Sequence, residues 1–296
     1  MLGLKIYLAI KNQFSENIMS TTPVSPPVPS APACHDLMVL AVESYYPNGS
    51  QEAQFFNLYL QKPKNMAWQP GQFVMIRPPA WKNAMWARPF SICAANENTL
   101  TLFCQAVGRG TKELAQLAVG DKIGFWGPLG KGFETDPQAP TLMLAGGVGI
   151  APFVGYCLEH PNPRNLRLEF GHRQPLFCYP MTKFPAEVKT SAHLEEGPAD
   201  LQAFLNLIDG LIADYAKRDG LVLACGPLPF LKFVQEKALL YKARAQLSLE
   251  NRMGCGVGAC LGCVVTSHGA RAEGWPIQAC IHGPVFRADQ VNLDDL

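Results

Sequence analysis

The chain has 296 residues, enough for two or three domains, and its 48% hydrophobic and 17% charged composition gives each of them a core to bury. With 25 Lys+Arg against 24 Asp+Glu the net charge is +1, so no basic excess exists to neutralise a phosphate backbone, and nucleic acid is excluded as the main partner. No uncharged apolar run reaches about 18 residues, which excludes a helical membrane span.

In chain order, the N-terminal LGLKIYLAI is apolar, but Lys5 interrupts it and no small-residue cleavage site follows, so it does not read as a signal peptide. The Pro/Ser-rich TTPVSPPVPSAPA after it makes 1–33 a flexible extension. Residues 34–136 carry short apolar runs such as AQFFNLYLQ, TLTLFCQAV and KIGFWGPL, punctuated by turn signals such as Pro70-Gly71. That spacing predicts a small antiparallel β-barrel, with one short helix at 111–117 where TKELAQLA has helical periodicity. From 137 to 250 strand and helix alternate: TLMLAGG, APFVGYCLEH, LRLEF, ADLQAFLNLIDGLIADYAKR, LVLAC, PFLKFVQEKALLYKA and AQLSLE. Such alternation predicts a doubly wound parallel sheet. The stretch 251–296 is glycine- and cysteine-rich and reads as a loop domain with short strands. The fold class is therefore multidomain, β plus α/β, with a C-terminal loop domain.

Four of the ten cysteines fall within 26 residues: Cys255-Gly-Val-Gly-Ala-Cys260-Leu-Gly-Cys263, then Cys280 after 16 more. The other six (Cys34, Cys93, Cys104, Cys157, Cys178, Cys225) are scattered through apolar stretches. This distribution suits a reducing compartment, the cytoplasm, with one metal site, rather than a disulfide framework. C-x4-C-x2-C…C is the spacing of plant-type [2Fe–2S] proteins, and interleaved glycines let backbone N–H groups reach the sulfurs. Four thiolates also satisfy a structural zinc, which leaves a zinc-stabilised assembly module as an alternative reading.

In the barrel segment, Arg88-Pro89-Phe90-Ser91 combines a guanidinium for a pyrophosphate, a ring that either covers a flavin or packs as a core aromatic on its strand, and a hydroxyl for the flavin's polar edge. About twenty residues on, Val107-Gly108-Arg109-Gly110-Thr111 leads into the short helix, a second element for an anion. In the α/β segment, strand TLMLA runs into Gly146-Gly147-Val148-Gly149-Ile150-Ala151-Pro152, a glycine turn suited to a dinucleotide pyrophosphate. Strand LVLA ends in Cys225-Gly226-Pro227, where doubly wound sheets place ligands. Cys225 is a candidate contact for nicotinamide, or a small buried thiol closing a strand. Arg173, after the second strand, is a candidate for a 2′-phosphate, while Glu169 lies within the strand, which leaves NAD and NADP both open. The lone histidines His172 and His193 read as solvent-exposed bystanders.

In this order RPFS, VGRGT, AGGVGIAP, ACGP and MGCGVGACLGC resemble the ferredoxin reductase-like flavoproteins. Among them, residues 36–296 resemble the electron-transfer subunits of the NAD-linked (class 1B) dihydroorotate dehydrogenases, most specifically at LSLENRMGCGVGACLGC. The resemblance implies FAD on a barrel at 34–136, contacted by Arg88, Pro89, Phe90 and Ser91, by the strand residues Phe103, Cys104 and Gln105, and by Gly110 and Thr111 over the pyrophosphate. Relatives often carry Tyr and Arg at the positions of Cys104 and Gln105. It implies NAD on the sheet at 137–250, and a [2Fe–2S] cluster on Cys255, Cys260, Cys263 and Cys280 at 251–296. The implied partner is an FMN-containing catalytic subunit that oxidises dihydroorotate to orotate, in a heterotetramer with two of each subunit. Electrons would pass through the cluster and FAD to NAD+ in pyrimidine (UMP) biosynthesis, with no acid–base residue needed in this chain. The alternative within this fold is an NAD(P)H-dependent reductase component for a ferredoxin, or for a sulfide- or hydrogenase-linked partner.

Overall fold

The structure, a computed structural model, describes residues 34–47, 54–77, 87–268, 275–294 and 296. The N-terminal extension expected at 1–33 lies outside the described residues. Strands β1 (Cys34–Tyr45), β2 (Phe55–Gln61), β3 (Phe73–Arg77), β4 (Arg88–Ala95), β5 (Thr99–Gln105) and β6 (Lys122–Leu129) close a barrel in the order β1-β2-β5-β4-β3-β6. Alternation builds its interior: Phe56, Leu58 and Leu60 of β2 meet Val74, Ile76, Ile92, Leu102 and Phe125. Helix α1 spans Arg109–Leu114, earlier than the expected 111–117. The Thr111 hydroxyl accepts the N–H groups of Val107 and Gly108 at 3.0 and 3.1 Å, which starts the helix there. Asp121 accepts the Ala118 N–H at 2.8 Å, and a turn follows in place of further helix.

The second half is a six-stranded sheet in the order β14-β11-β10-β7-β8-β9, with β7 (Thr141–Gly146), β8 (Leu166–His172), β9 (Lys189–Leu194), β10 (Leu221–Cys225), β11 (Arg244–Ser248) and β14 (Val285–Arg287). Five strands are parallel, and β14 pairs antiparallel to β11. In β7, Met143 and Ala145 face one apolar layer while Leu142 and Leu144 face the other. The first layer holds α2 (Ala151–Glu159) and the outer face of the barrel, through Phe55, Cys93 and Phe103. The second holds α3 (Pro198–Lys217), by Phe204, Ile208, Ile212 and Tyr215, and α4 (Leu228–Tyr241), by Leu231, Val234 and Ala238. Helical spacing of these residues presents one stripe to the sheet.

One strand, β9, escaped the sequence reading, and one of the short strands expected in the tail, β14, joins a sheet expected to be wholly parallel. β9 is the outer edge strand, KTSAHL, whose mostly exposed polar residues give no apolar run. β14 comes from the glycine- and cysteine-rich tail, so the sheet is mixed and 251–296 contributes a strand to its neighbour. The tail also forms β12 (Val264–Ser267), β13 (Trp275–Gln278) and β15 (Val291–Asn292), a small sheet in the order β13-β12-β15, and the single turn α5 (Ala279–His282). Among the described residues no helix is long and apolar enough to cross a membrane.

Candidate functional site

The cysteine loop is fastened to the barrel. Trp126 of β6 donates its indole N–H to the Cys255 carbonyl at 2.9 Å. The next residue, Gly256, has φ +72°, and a Cβ there would stand 2.6 Å from Met75 Cγ and 3.0 Å from Leu129 Cδ1. Only glycine permits both that backbone and that approach. Met75 is the cross-strand neighbour of Trp126 on one side and of Pro89 on the other. The loop therefore rests on β6 and β3, and β4, with Arg88-Pro89-Phe90-Ser91, is the adjacent strand.

The four cysteines associate two by two. The Cys255 sulfur accepts the N–H groups of Val257 and Cys260, both at 3.4 Å. Cys260 is exposed, and its thiol is lowered to about 7, chiefly by the Gly262 N–H and then by Cys255. Cys263 and Cys280 are buried, and Cys280 is raised to about 12 by desolvation and by its hydrogen bond with Cys263. The Ala279 N–H donates to the Cys263 carbonyl at 2.9 Å, which ties the turn carrying Cys280 to the loop. Among the described residues no three His, Cys, Asp or Glu side chains form a group for a single metal ion. Two thiol pairs with N–H groups on sulfur fit the donor set of a binuclear iron–sulfur cluster, which takes two thiolates per iron.

On β4, Arg88 is exposed and Phe90 is half-buried against the barrel interior. In the segment after β5, the Thr111 hydroxyl is engaged with the Val107 and Gly108 N–H groups and the Gly108 carbonyl, leaving Gly110 half-exposed at the start of α1. Strand alternation separates the three β5 residues. Phe103 stacks on Phe55, ring centroids 5.6 Å apart, in the layer shared with the sheet. Cys104 points into the barrel, where burial pushes its thiol well above the ordinary range. Gln105 stands half-buried at the strand end.

The glycine turn and Cys225-Gly226-Pro227 come together at the carboxyl ends of β7 and β10. The chain runs from β7 outward through β8 and β9, then returns through α3 to β10 on the other side, so this rim is the topological switch point of the sheet. The approach is close: a Cβ on Gly149 would overlap the Cys225 carbonyl and lie 2.7 Å from Gly226 N. On Gly146 it would lie 3.0 Å from Pro227 Cδ, and Gly147 has φ +55° with open space before it. The Cys225 thiol is half-buried and raised to about 12 by desolvation, against a lowering hydrogen bond from Ser248.

Next along the rim, the expectations for the histidines are corrected. His172 is 7% exposed and stacks on Phe170, with Nδ1 2.8 Å from the Gln174 carbonyl. His193 lies 2.5 Å from the Glu169 carboxylate, whose other oxygen is 2.6 Å from Arg167 Nε. Glu169 is wholly buried in mid-strand, away from the rim. The acid paired with Arg173, past the ends of β8 and β9, is Glu195, 2.7 Å away. Sequence reasoning missed it because the polar edge strand before it went unseen.

A family model described as the iron–sulfur cluster binding domain of dihydroorotate dehydrogenase B matches residues 250–292, and one described as an FAD-binding domain matches 43–150. The electron transfer subunit of dihydroorotate dehydrogenase B (NAD(+)) from Caldanaerobacter subterraneus subsp. tengcongensis is 33% identical over 222 residues, 75% of this chain and 86% of that one. The chain belongs to this family of electron-transfer subunits. The Listeria innocua member is 32% identical over 236 residues, covering 76% of this chain and 87% of its own. A solved NADH-dependent reduced ferredoxin-NADP oxidoreductase shares the fold, with TM-score 0.69 at 24% identity over 88% of this chain and 91% of that one. The family's two cofactor-binding models thus fall on the barrel and on the cysteine loop, and the fold is ferredoxin reductase-like.

Proposed function

We propose that this chain is the electron-transfer subunit of an NAD-linked dihydroorotate dehydrogenase, serving pyrimidine biosynthesis in the cytoplasm. Its partner is an FMN-containing catalytic subunit, two copies of each forming the assembly. The observation that carries the reading is the attachment of a four-cysteine loop, by Trp126 and Gly256, to barrel strands next to Arg88-Pro89-Phe90-Ser91. When bound, the cluster would supply one-electron transfer, and FAD would supply the conversion of two such electrons and a proton from solvent into a hydride for NAD+.

The chain's own residues hold and orient these groups. Cys255 with Cys260, and Cys263 with Cys280, supply the thiolates, and the N–H groups of Val257, Cys260 and Gly262 lie against the sulfurs. Arg88 offers a guanidinium to the FAD pyrophosphate, Phe90 a ring face and Ser91 a hydroxyl. Gly110 and Thr111 close over the pyrophosphate. On β5, Gln105 and the backbone serve, because Phe103 and Cys104 spend their side chains in packing. Gly146, Gly147 and Gly149 cradle the NAD pyrophosphate, and Cys225, Gly226 and Pro227 flank the nicotinamide. By segment, 34–136 binds FAD, 137–250 binds NAD and 251–296 carries the cluster.

The segment that carries exposed Cys260 also exposes Val257, Leu261, Val264, Trp275 and Ile281, all 40% exposed or more, apolar side chains for the FMN subunit to cover. The chain isolated under nitrogen should be coloured and carry FAD with two irons per polypeptide, read by visible spectrum and metal analysis. Colourless, zinc-loaded protein would overturn the reading.

A further inference from the structure

In a doubly wound sheet the dinucleotide pyrophosphate sits on the helix after the first strand, and the adenosine ribose is read at the carboxyl end of the second. Here these strands are β7 and β8, adjacent and parallel. The β8 rim ends in Arg173, a cation that by itself invites a 2′-phosphate. The Glu195 N–H donates to the His172 carbonyl at 2.8 Å, which carries the β8–β9 ladder one step past the strand ends. That bond fixes Glu195 beside Arg173, and the two side chains pair at 2.7 Å. Arg173 is 72% exposed and Glu195 24%, so the carboxylate is the better-anchored partner.

We propose that Glu195 sets the preference for NAD over NADP, by occupying Arg173 and presenting a carboxylate where a 2′-phosphate would bind. A ribose 2′-hydroxyl donates to that carboxylate, whereas a dianionic 2′-phosphate is repelled by it and finds the guanidinium already paired. The pair itself contributes little stability, being solvent-exposed. Its consequence is selectivity, which needs only a difference between two ligands. The proposal rests on the nicotinamide reading of the β7–β10 rim.

The test is calorimetric titration of the flavin-loaded protein with ADP-ribose and with 2′-phospho-ADP-ribose, neither of which is turned over. Wild type should prefer ADP-ribose by at least about tenfold, the worth of one charge-assisted hydrogen bond. Glu195→Gln should shrink that ratio at least about tenfold, with tighter binding of the 2′-phospho ligand, and Arg173→Gln added to it should abolish the gain. A merely structural loosening weakens both ligands alike and leaves the ratio where it was. An unchanged ratio in Glu195→Gln, or a gain that survives loss of Arg173, overturns the proposal. Wild-type protein that binds neither ligand overturns the nicotinamide reading itself.

Discussion

Trp126→Phe removes one indole N–H and keeps an aromatic ring against the same neighbours. What is lost is the 2.9 Å bond from β6 to the Cys255 carbonyl, a polar tie between barrel and cysteine loop. A lost hydrogen bond costs about 0.5–1.5 kcal/mol net, and a buried orphan acceptor about 1–3 kcal/mol. Cys255 is half-buried, so its carbonyl regains some water, and the cost falls at about 1 kcal/mol. That corresponds to a roughly fivefold larger population of the detached loop. Iron transfer to a chelator, followed by bleaching of the visible spectrum, should accelerate about fivefold. FAD release should not change, because Trp126 lies on β6 and the flavin motif on β4. Iron release at the wild-type rate, or iron and FAD lost in parallel, would refute the reasoning.

Cys260→Ser should yield protein with FAD bound and no cluster, and a full iron complement in that variant would remove Cys260 from the ligand set. Gly149→Ala forces a methyl into the Cys225–Gly226 backbone, at a cost of about 2–3 kcal/mol. Scanning calorimetry should show a melting point several degrees lower and titration a weakened NAD+ affinity, whereas wild-type values would contradict the close approach of β7 and β10. Burial keeps Cys225 protonated up to about pH 12, so at pH 8 iodoacetamide should modify exposed Cys34 and spare Cys225. Equal alkylation of the two, read by peptide mass spectrometry, would count against that environment.

The features legible in the sequence are those carried by local chemistry. The C-x4-C-x2-C spacing announces a cluster loop because ligand distances dictate it. The strand–glycine–helix pattern at 141–152 announces the switch-point rim because a buried parallel strand reads as an unbroken apolar run. Features set by tertiary partners were hidden. β9 is polar because it borders solvent, and β14 is three residues that gain meaning only against β11. Glu169 and Glu195 look alike in sequence, yet one is buried between Arg167 and His193 and the other meets Arg173 at the rim. Trp126 reads as one more aromatic on a barrel strand until its indole is seen to reach Cys255, 129 residues away.

The most direct test of the electron-transfer assignment is to isolate the tagged chain from its own cells and assay the eluate for NAD+ reduction dependent on dihydroorotate. The account predicts NADH formation with an FMN-containing subunit co-purifying, and loss of that activity in Cys260→Ser. A flavin- and iron-containing eluate that reduces no NAD+ with dihydroorotate, and brings down no FMN subunit, would contradict it.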